Sequence, residues 1–217
     1  MRDKRFSHVD TWVFDLDQTL YPKSSNLETE VVRSIMRYLS ANLQISLEEA
    51  GELTSLYHQQ HGATVLGAHK EHGIPLEHFI EVVYWELGLQ AIQPNPALRE
   101  ALLKLSGRRI IFTNAPRYHA ERVLERLGIA DLFDDIVDVI AFGYHPKPNM
   151  KAYRALLKQT GINPKTSAFF EDSERNLKVA ARLGMRTVHI YDKGKPAEGR
   201  YIDAVARTPE EWINDNL

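Results

Sequence analysis

The second half of this chain alternates between two kinds of segment, and that alternation restricts the fold more than any other feature. Residues 109–113, 135–140, 167–171 and 186–190 are short runs rich in β-branched and aromatic side chains. Between them, apolar residues recur at helical spacing. Ala120, Val123, Leu124 and Leu127 make one stripe, stopped by Gly128; Tyr153, Leu156 and Leu157 make another after Pro148; Leu177, Ala180 and Ala181 make a third, stopped by Gly184. Strands separated by helices cannot pair as hairpins. They imply βαβ units and a parallel sheet covered on both faces. Trp12-Val13-Phe14 reads as a further buried strand of that sheet, 186–190 as its last strand, and Thr208-Pro209-Glu210-Glu211 as the capped start of a terminal helix. The expected class is α/β with a Rossmann-like parallel sheet.

The stretch between the first strand and residue 92 has a different character. Tyr21-Pro22-Lys23-Ser24-Ser25 breaks the strand, and no convincing strand follows up to Leu89. Leu27, Val31, Ile35 and Leu39 recur every four residues, which predicts a helical face. Ser46 and Glu49 have capping-box spacing, and Pro75 suits a first helical turn before Phe79, Val82 and Val83. Gln93-Pro94-Asn95-Pro96 reads as a linker, with Asn95 capping the next helix. The spacing thus predicts a core of residues 1–22 and 95–217 and a helical cap of residues 25–92, inserted after the first strand.

Composition removes several function classes. The formal net charge is -2, which gives no electrostatic reason to expect a nucleic-acid polymer or a membrane as partner. There is no cysteine, hence no disulfide framework and no thiolate chemistry. The opening segment, Met1-Arg2-Asp3-Lys4-Arg5, is charged and leads into the first strand without an apolar signal region, so a cytoplasmic location is the expectation.

The chemistry-bearing residues fall at the predicted strand ends, where ligands bind in open parallel sheets. Asp15 and Asp17 follow the first strand, two residues apart and so directed to the same side. Two carboxylates that close raise each other's pKa unless a cation intervenes. Thr113-Asn114 and Glu171-Asp172 end two other strands, and Lys147-Pro148 precedes a helix. These residue types suit phosphoryl transfer. A metal ion held by Asp15, Asp17 and Asp172 would cancel the repulsion between a carboxylate and a phosphate dianion, and Lys147 adds positive charge. The Thr113 hydroxyl and backbone N–H groups, that of Leu16 among them, can donate to phosphate oxygens. Asp15 could then attack phosphorus, with Asp17 as the acid and base.

In this order, Asp15-Leu16-Asp17-Gln18-Thr19, Thr113-Asn114, Lys147-Pro148 and Glu171-Asp172-Ser173-Glu174-Arg175-Asn176 resemble the four motifs of the haloacid dehalogenase superfamily. The resemblance covers about residues 10–22 and 95–192. It implies Asp15 as nucleophile, Asp17 as acid/base and, through its backbone carbonyl, a metal ligand. It also implies Thr113, Asn114 and Lys147 as phosphate-binding residues, Asp172 with Glu171 nearby as the Mg²⁺ site, and Asn176 as the residue that positions Lys147. Asp17 favours a phosphatase over a dehalogenase. Asp15 to Tyr21, then Phe112 to Ala115, His119-Ala120 and Leu127-Gly128-Ile129, are similar to the pyrimidine 5′-nucleotidase group, with Gln18 in place of the more usual Asn. That similarity implies a small phosphomonoester such as UMP or CMP; a sugar, organic-acid or cofactor phosphate is the alternative. A receiver-like signalling module also carries an acidic pair, a Thr and a Lys, but its phosphoacceptor follows a later strand.

Other residues keep two readings. His58/His61 and His69/His72 have spacing that suits a transition metal or a polar helix face. Tyr57, Tyr84 and Trp85 suit base stacking or packing. Pro22 and Pro94 suit hinges or ordinary loops.

Overall fold

The computed structural model describes residues 3–217; Met1 and Arg2, part of the charged opening segment and of the predicted core, lie outside the described residues. Six parallel strands form one sheet: β1 (Thr11–Phe14), β2 (Arg108–Phe112), β3 (Asp135–Val137), β4 (Ser167–Glu171), β5 (Arg186–Ile190) and β6 (Ala204–Ala206), in the order β3-β2-β1-β4-β5-β6. The chain steps outward from β1 through β2 to β3, then returns to the other side of β1 for β4, β5 and β6. The junction of β1 and β4 is therefore the point where the strand order reverses, the usual place for a ligand crevice.

Both sheet faces are covered, and β1 shows why. Trp12 and Phe14 join one buried cluster with side chains of α5 (Pro96–Leu102), α6 (Arg117–Leu127) and α9 (Pro209–Asn216). Val13 points the other way, into a cluster with α7 (Met150–Thr160) and α8 (Glu174–Leu183). Phe14 stacks on Phe170 at 4.7 Å, and the Trp12 ring N–H donates to the Ser106 carbonyl at 2.9 Å. This pleat continues past the strand end. Leu16 stays with Phe14 in the core, and Asp15 stays on the Val13 side, where it meets a lysine lying over the Phe112 and Phe169 rings of that cluster.

Between β1 and α5 lie four helices, α1 (Leu27–Leu43), α2 (Leu47–His61), α3 (Thr64–His72) and α4 (Leu76–Trp85). Leu39, Ala50, Ala68 and Phe79 bury the contacts among them, in a cluster continuous with the Val13 face of the sheet. The Ser46–Glu49 capping box forms, and Asn95 and Thr208 cap α5 and α9 as expected. No helix among the described residues is long and apolar enough to cross a membrane.

Two local expectations change. The run 135–140 is a strand only to Val137, because the Asp138 carboxylate accepts the N–H groups of Arg117 and Ala141 and turns the chain. The strand at 186–190 is not the last. The β6 edge strand is fixed by Asp203, which accepts the Thr187 N–H and pairs with Arg186. Ser173 occupies the α8 cap position without a side-chain cap bond; its N–H is taken by Glu171 instead.

His119 on α6 is fully buried against Tyr84, ring centroids 5.0 Å apart, and neither ring nitrogen has a hydrogen-bond partner. Burial, helped by the Arg122 charge, pushes its pKa down to about 4 from the ordinary 6.5. The unfolded chain therefore binds that proton more readily than the folded one. The resulting stability is complete above about 6.5 and is lost as pH falls toward about 4. A His119→Phe variant keeps the ring edge on Tyr84 but not the titration. Denaturant melts at pH 7 and pH 4 should show the wild type losing more stability than the variant, by on the order of 3 kcal/mol. Equal losses would contradict the assignment.

Candidate active site

Asp15, Thr113 and Glu171 emerge from the three adjacent strands β1, β2 and β4, and the loop before α7 brings Lys147 over them. Lys147 is 5% exposed. Its Nζ donates to Asp15 Oδ1 at 2.7 Å, to Glu171 Oε2 at 2.9 Å and to the Phe112 carbonyl at 2.7 Å, so all three ammonium protons are used. The rings of Phe112 and Phe169 lie 4.9 and 5.2 Å from the same nitrogen and close its flanks.

Two polar clamps hold this arrangement. Asn114 Oδ1 accepts the Lys147 N–H at 2.8 Å, and its Nδ2 donates to the Lys147 carbonyl at 3.3 Å. The resemblance assigns phosphate binding to Asn114; the bonds it makes are to the Lys147 backbone. Asn176, expected to position Lys147, instead donates to Glu171 Oε2 at 2.9 Å. It therefore reaches Lys147 only through the carboxylate that the two share. Thr113 is fully buried, with its hydroxyl accepting the Ala115 N–H. The Leu16 side chain is fully buried in the core, so Leu16 can meet a ligand only through its backbone.

Carboxylate oxygens of Asp15, Glu171 and Asp172 lie within 4.8 Å of one another. Asp17 stands apart from this group. A turn begins after Leu16, whose carbonyl accepts the Leu20 N–H, and the Tyr21 hydroxyl donates to Asp17 Oδ1. Burial, then the Glu171 charge, raises the Asp15 pKa against the opposing pull of Lys147. Burial, then Glu171 and Asp15, raises that of Asp172. For Lys147, burial works against the charged form, yet Asp15 and Glu171 outweigh it and its pKa rises. These directions agree once the charges are counted: one ammonium serves several carboxyls, so its own charge is secure and theirs is in excess. Asp17 is raised chiefly by burial, with the Tyr21 hydrogen bond opposing.

Two contributors carry no signal in the sequence pattern. His189, at the end of β5, accepts the Ala197 N–H on Nδ1 at 3.0 Å. Its Nε2 must then carry the proton, which it donates to the Asp172 carbonyl at 3.1 Å. Tyr144, in the loop after β3, lines a cavity of about 590 Å³ that opens between the α2–α4 helices and Lys147. His58, His61 and Tyr84 also line this cavity. The histidines of α2 and α3 form no metal-ligating group among the described residues; Tyr57 bonds to His72, and His61 lies 3.3 Å from Glu71. Trp85 is 69% exposed, so it is not a packing residue, and it does not line this cavity.

Comparison with known proteins follows the same lines. Residues 9–184 match the family model described as haloacid dehalogenase-like hydrolase. Phosphate metabolism protein 8 of Saccharomyces cerevisiae is 30% identical over 82% of this chain, which spans only 61% of that protein's length. A glyceraldehyde 3-phosphate phosphatase of Methanocaldococcus jannaschii is 27% identical over 93% of this chain and 94% of its own. The GMP/IMP nucleotidase YrfG of Escherichia coli is 33% identical over 48% of this chain and 53% of its own. A HAD phosphatase structure from Thermococcus onnurineus superposes with a TM-score of 0.62 over 95% of this chain and 97% of its own, at 21% identity. Fold, strand-end chemistry and family model coincide: the chain belongs to the haloacid dehalogenase-like hydrolases.

Proposed function

We propose that this protein is a Mg²⁺-dependent phosphatase that hydrolyses a small phosphomonoester through an aspartyl phosphate, with a pyrimidine nucleoside 5′-monophosphate as its substrate. One observation carries the reading: Lys147 Nζ is held between Asp15 and Glu171 at the strand-order reversal, beside a cavity large enough for a nucleoside. Residues 1–22 and 95–217 serve as the core, residues 25–92 as the cap, and the cysteine-free chain works in the cytoplasm.

Asp15 is the nucleophile in this scheme. Its carboxylate oxygen forms a bond to phosphorus as the ester P–O bond breaks, and the leaving oxygen takes a proton from Asp17. The raised pKa of Asp17 suits a carboxyl that begins protonated, and the Tyr21 hydroxyl fixes its direction. Asp17 then takes a proton from water, which attacks phosphorus; the bond to Asp15 breaks and inorganic phosphate leaves. Lys147, the Thr113 hydroxyl, and backbone N–H groups at Leu16 and Asn114 bind the transferring group.

The donor set fits a hard divalent cation. Asp15, Glu171 and Asp172 offer clustered carboxylate oxygens whose mutual repulsion a single lysine does not neutralise, and Asp17 adds its backbone carbonyl. Bound there, Mg²⁺ supplies the charge that lets a phosphate dianion approach a carboxylate. A sugar phosphate is the second reading, favoured by the near full-length alignment with the archaeal triose-phosphate enzyme.

Phosphate release measured with UMP, CMP, GMP, IMP and glyceraldehyde 3-phosphate should rank the pyrimidine nucleotides first. No preference for them would remove the pyrimidine assignment. Asp15→Asn should lower turnover about a thousandfold or more with the fold intact; wild-type rates would exclude Asp15 as nucleophile. Saturating Mg²⁺ should raise the melting temperature by roughly 5–10 °C, the effect of binding the folded state at about a hundred times Kd. An equal rise in Asp172→Asn would place the ion elsewhere.

A further inference from the structure

We propose that Tyr144, which lines the same cavity as His61, is a specificity-determining residue that hydrogen-bonds the polar edge of a nucleobase. The inference rests on the phosphatase reading and goes beyond it by naming what the site reads on the leaving group.

Three observations converge on Tyr144. Its side chain lines the cavity that also reaches Lys147, the residue that holds the nucleophile's carboxylate. It is 8% exposed, and its hydroxyl is buried without any hydrogen-bond partner. A buried hydroxyl left unpaired costs free energy, so it is retained at a cost unless something else completes it. Its backbone stands at φ 61°, directly after Gly143 at φ 63°. A bulky residue is rarely found in that left-handed region, and such outliers gather at ligand sites. The Val139 carbonyl accepts the Tyr144 N–H at 2.8 Å and holds the turn in place. Burial raises the phenol's pKa, which keeps the proton on the oxygen and leaves it able both to donate and to accept.

His61, at the end of α2, is the second such group. Its Nε2 is buried and lies 3.3 Å from the Glu71 carboxylate without hydrogen-bond geometry. The α1–α4 side of the cavity is mainly apolar, with Phe79, Ile80 and Val83 among its residues, whereas Asn114, His145, Lys147 and Arg175 line the sheet side. An apolar wall that also carries polar atoms without hydrogen-bond partners matches a planar heterocycle, which has apolar faces and donor and acceptor edges. A triose would leave most of about 590 Å³ unfilled and its walls without apolar contact.

The test is equilibrium binding, which needs no turnover. In an Asp15→Asn background, the Kd of UMP and of inorganic phosphate are measured by calorimetry with and without Tyr144→Phe. That change removes only an unpaired hydroxyl, so the melting temperature should hold. The UMP Kd should rise about five- to tenfold, the loss of one hydrogen bond, while the phosphate Kd stays within twofold. His61→Ala should act in the same direction. With Asp15 restored, the Tyr144→Phe loss should appear in KM for UMP and not in kcat. An unchanged UMP Kd, or an equal rise for phosphate, would overturn the proposal. A phosphatase that turns over sugar phosphates but binds no nucleotide would overturn it too, and would leave the phosphatase reading standing. Absence of any phosphatase activity would remove that reading, and the calorimetric comparison would still decide whether Tyr144 reads a base.

Discussion

A single buried ammonium holds this site together. Lys147 Nζ bonds to carboxylates from two neighbouring strands and to the backbone of a third, so β1, β2 and β4 converge on one nitrogen. Burying a charge this deeply is tolerated only when it is fully paired. Removing one partner of such a pair typically costs 3–5 kcal/mol, because the other is left stranded. The surroundings are built to prevent that: Asn114 holds the lysine's backbone, Asn176 holds Glu171, and two phenylalanine rings exclude water. The same nitrogen leaves the acidic group under-neutralised, which is the physical reason the proposed divalent cation fits there.

The sheet and the strand-end residues were legible because each rests on a local pattern. Trp12-Val13-Phe14 and the 167–171 run are continuous apolar strands, and the pleat that buries Val13 and Phe169 on one side delivers Asp15 and Glu171 to that side. Other features depend on partners remote in sequence and leave no such trace. β6 is held by Asp203 reaching back to β5. Asn114 reads as a phosphate residue beside Thr113, yet its bonds run to a lysine 33 positions away. Tyr21 looks like part of a strand-breaking signal until its hydroxyl is seen on Asp17. Tyr144 lies in a loop without periodicity, and only its unpaired hydroxyl and positive φ single it out.

The helical insertion and the sheet divide the work by physical character. The sheet side supplies charge and fixed donors, which in the proposed reaction hold the phosphoryl group. The α2–α4 side supplies apolar walls with a few polar atoms, the kind of surface that distinguishes one leaving group from another. Polar bonds tie the two together, from the Tyr118 hydroxyl to the Ile80 carbonyl and from Arg122 to the Leu87 carbonyl.

The most direct test of the account is chemical trapping of the covalent intermediate. Enzyme turning over UMP with Mg²⁺ is quenched in acid, reduced with borohydride and digested, and the peptide carrying residues 11–20 is sequenced by mass spectrometry. An acyl phosphate at Asp15 is reduced to homoserine, so the account predicts homoserine at position 15 and unchanged aspartate at position 17, only when substrate is present. Sustained turnover with position 15 unmodified, or with homoserine at position 17 instead, would contradict it.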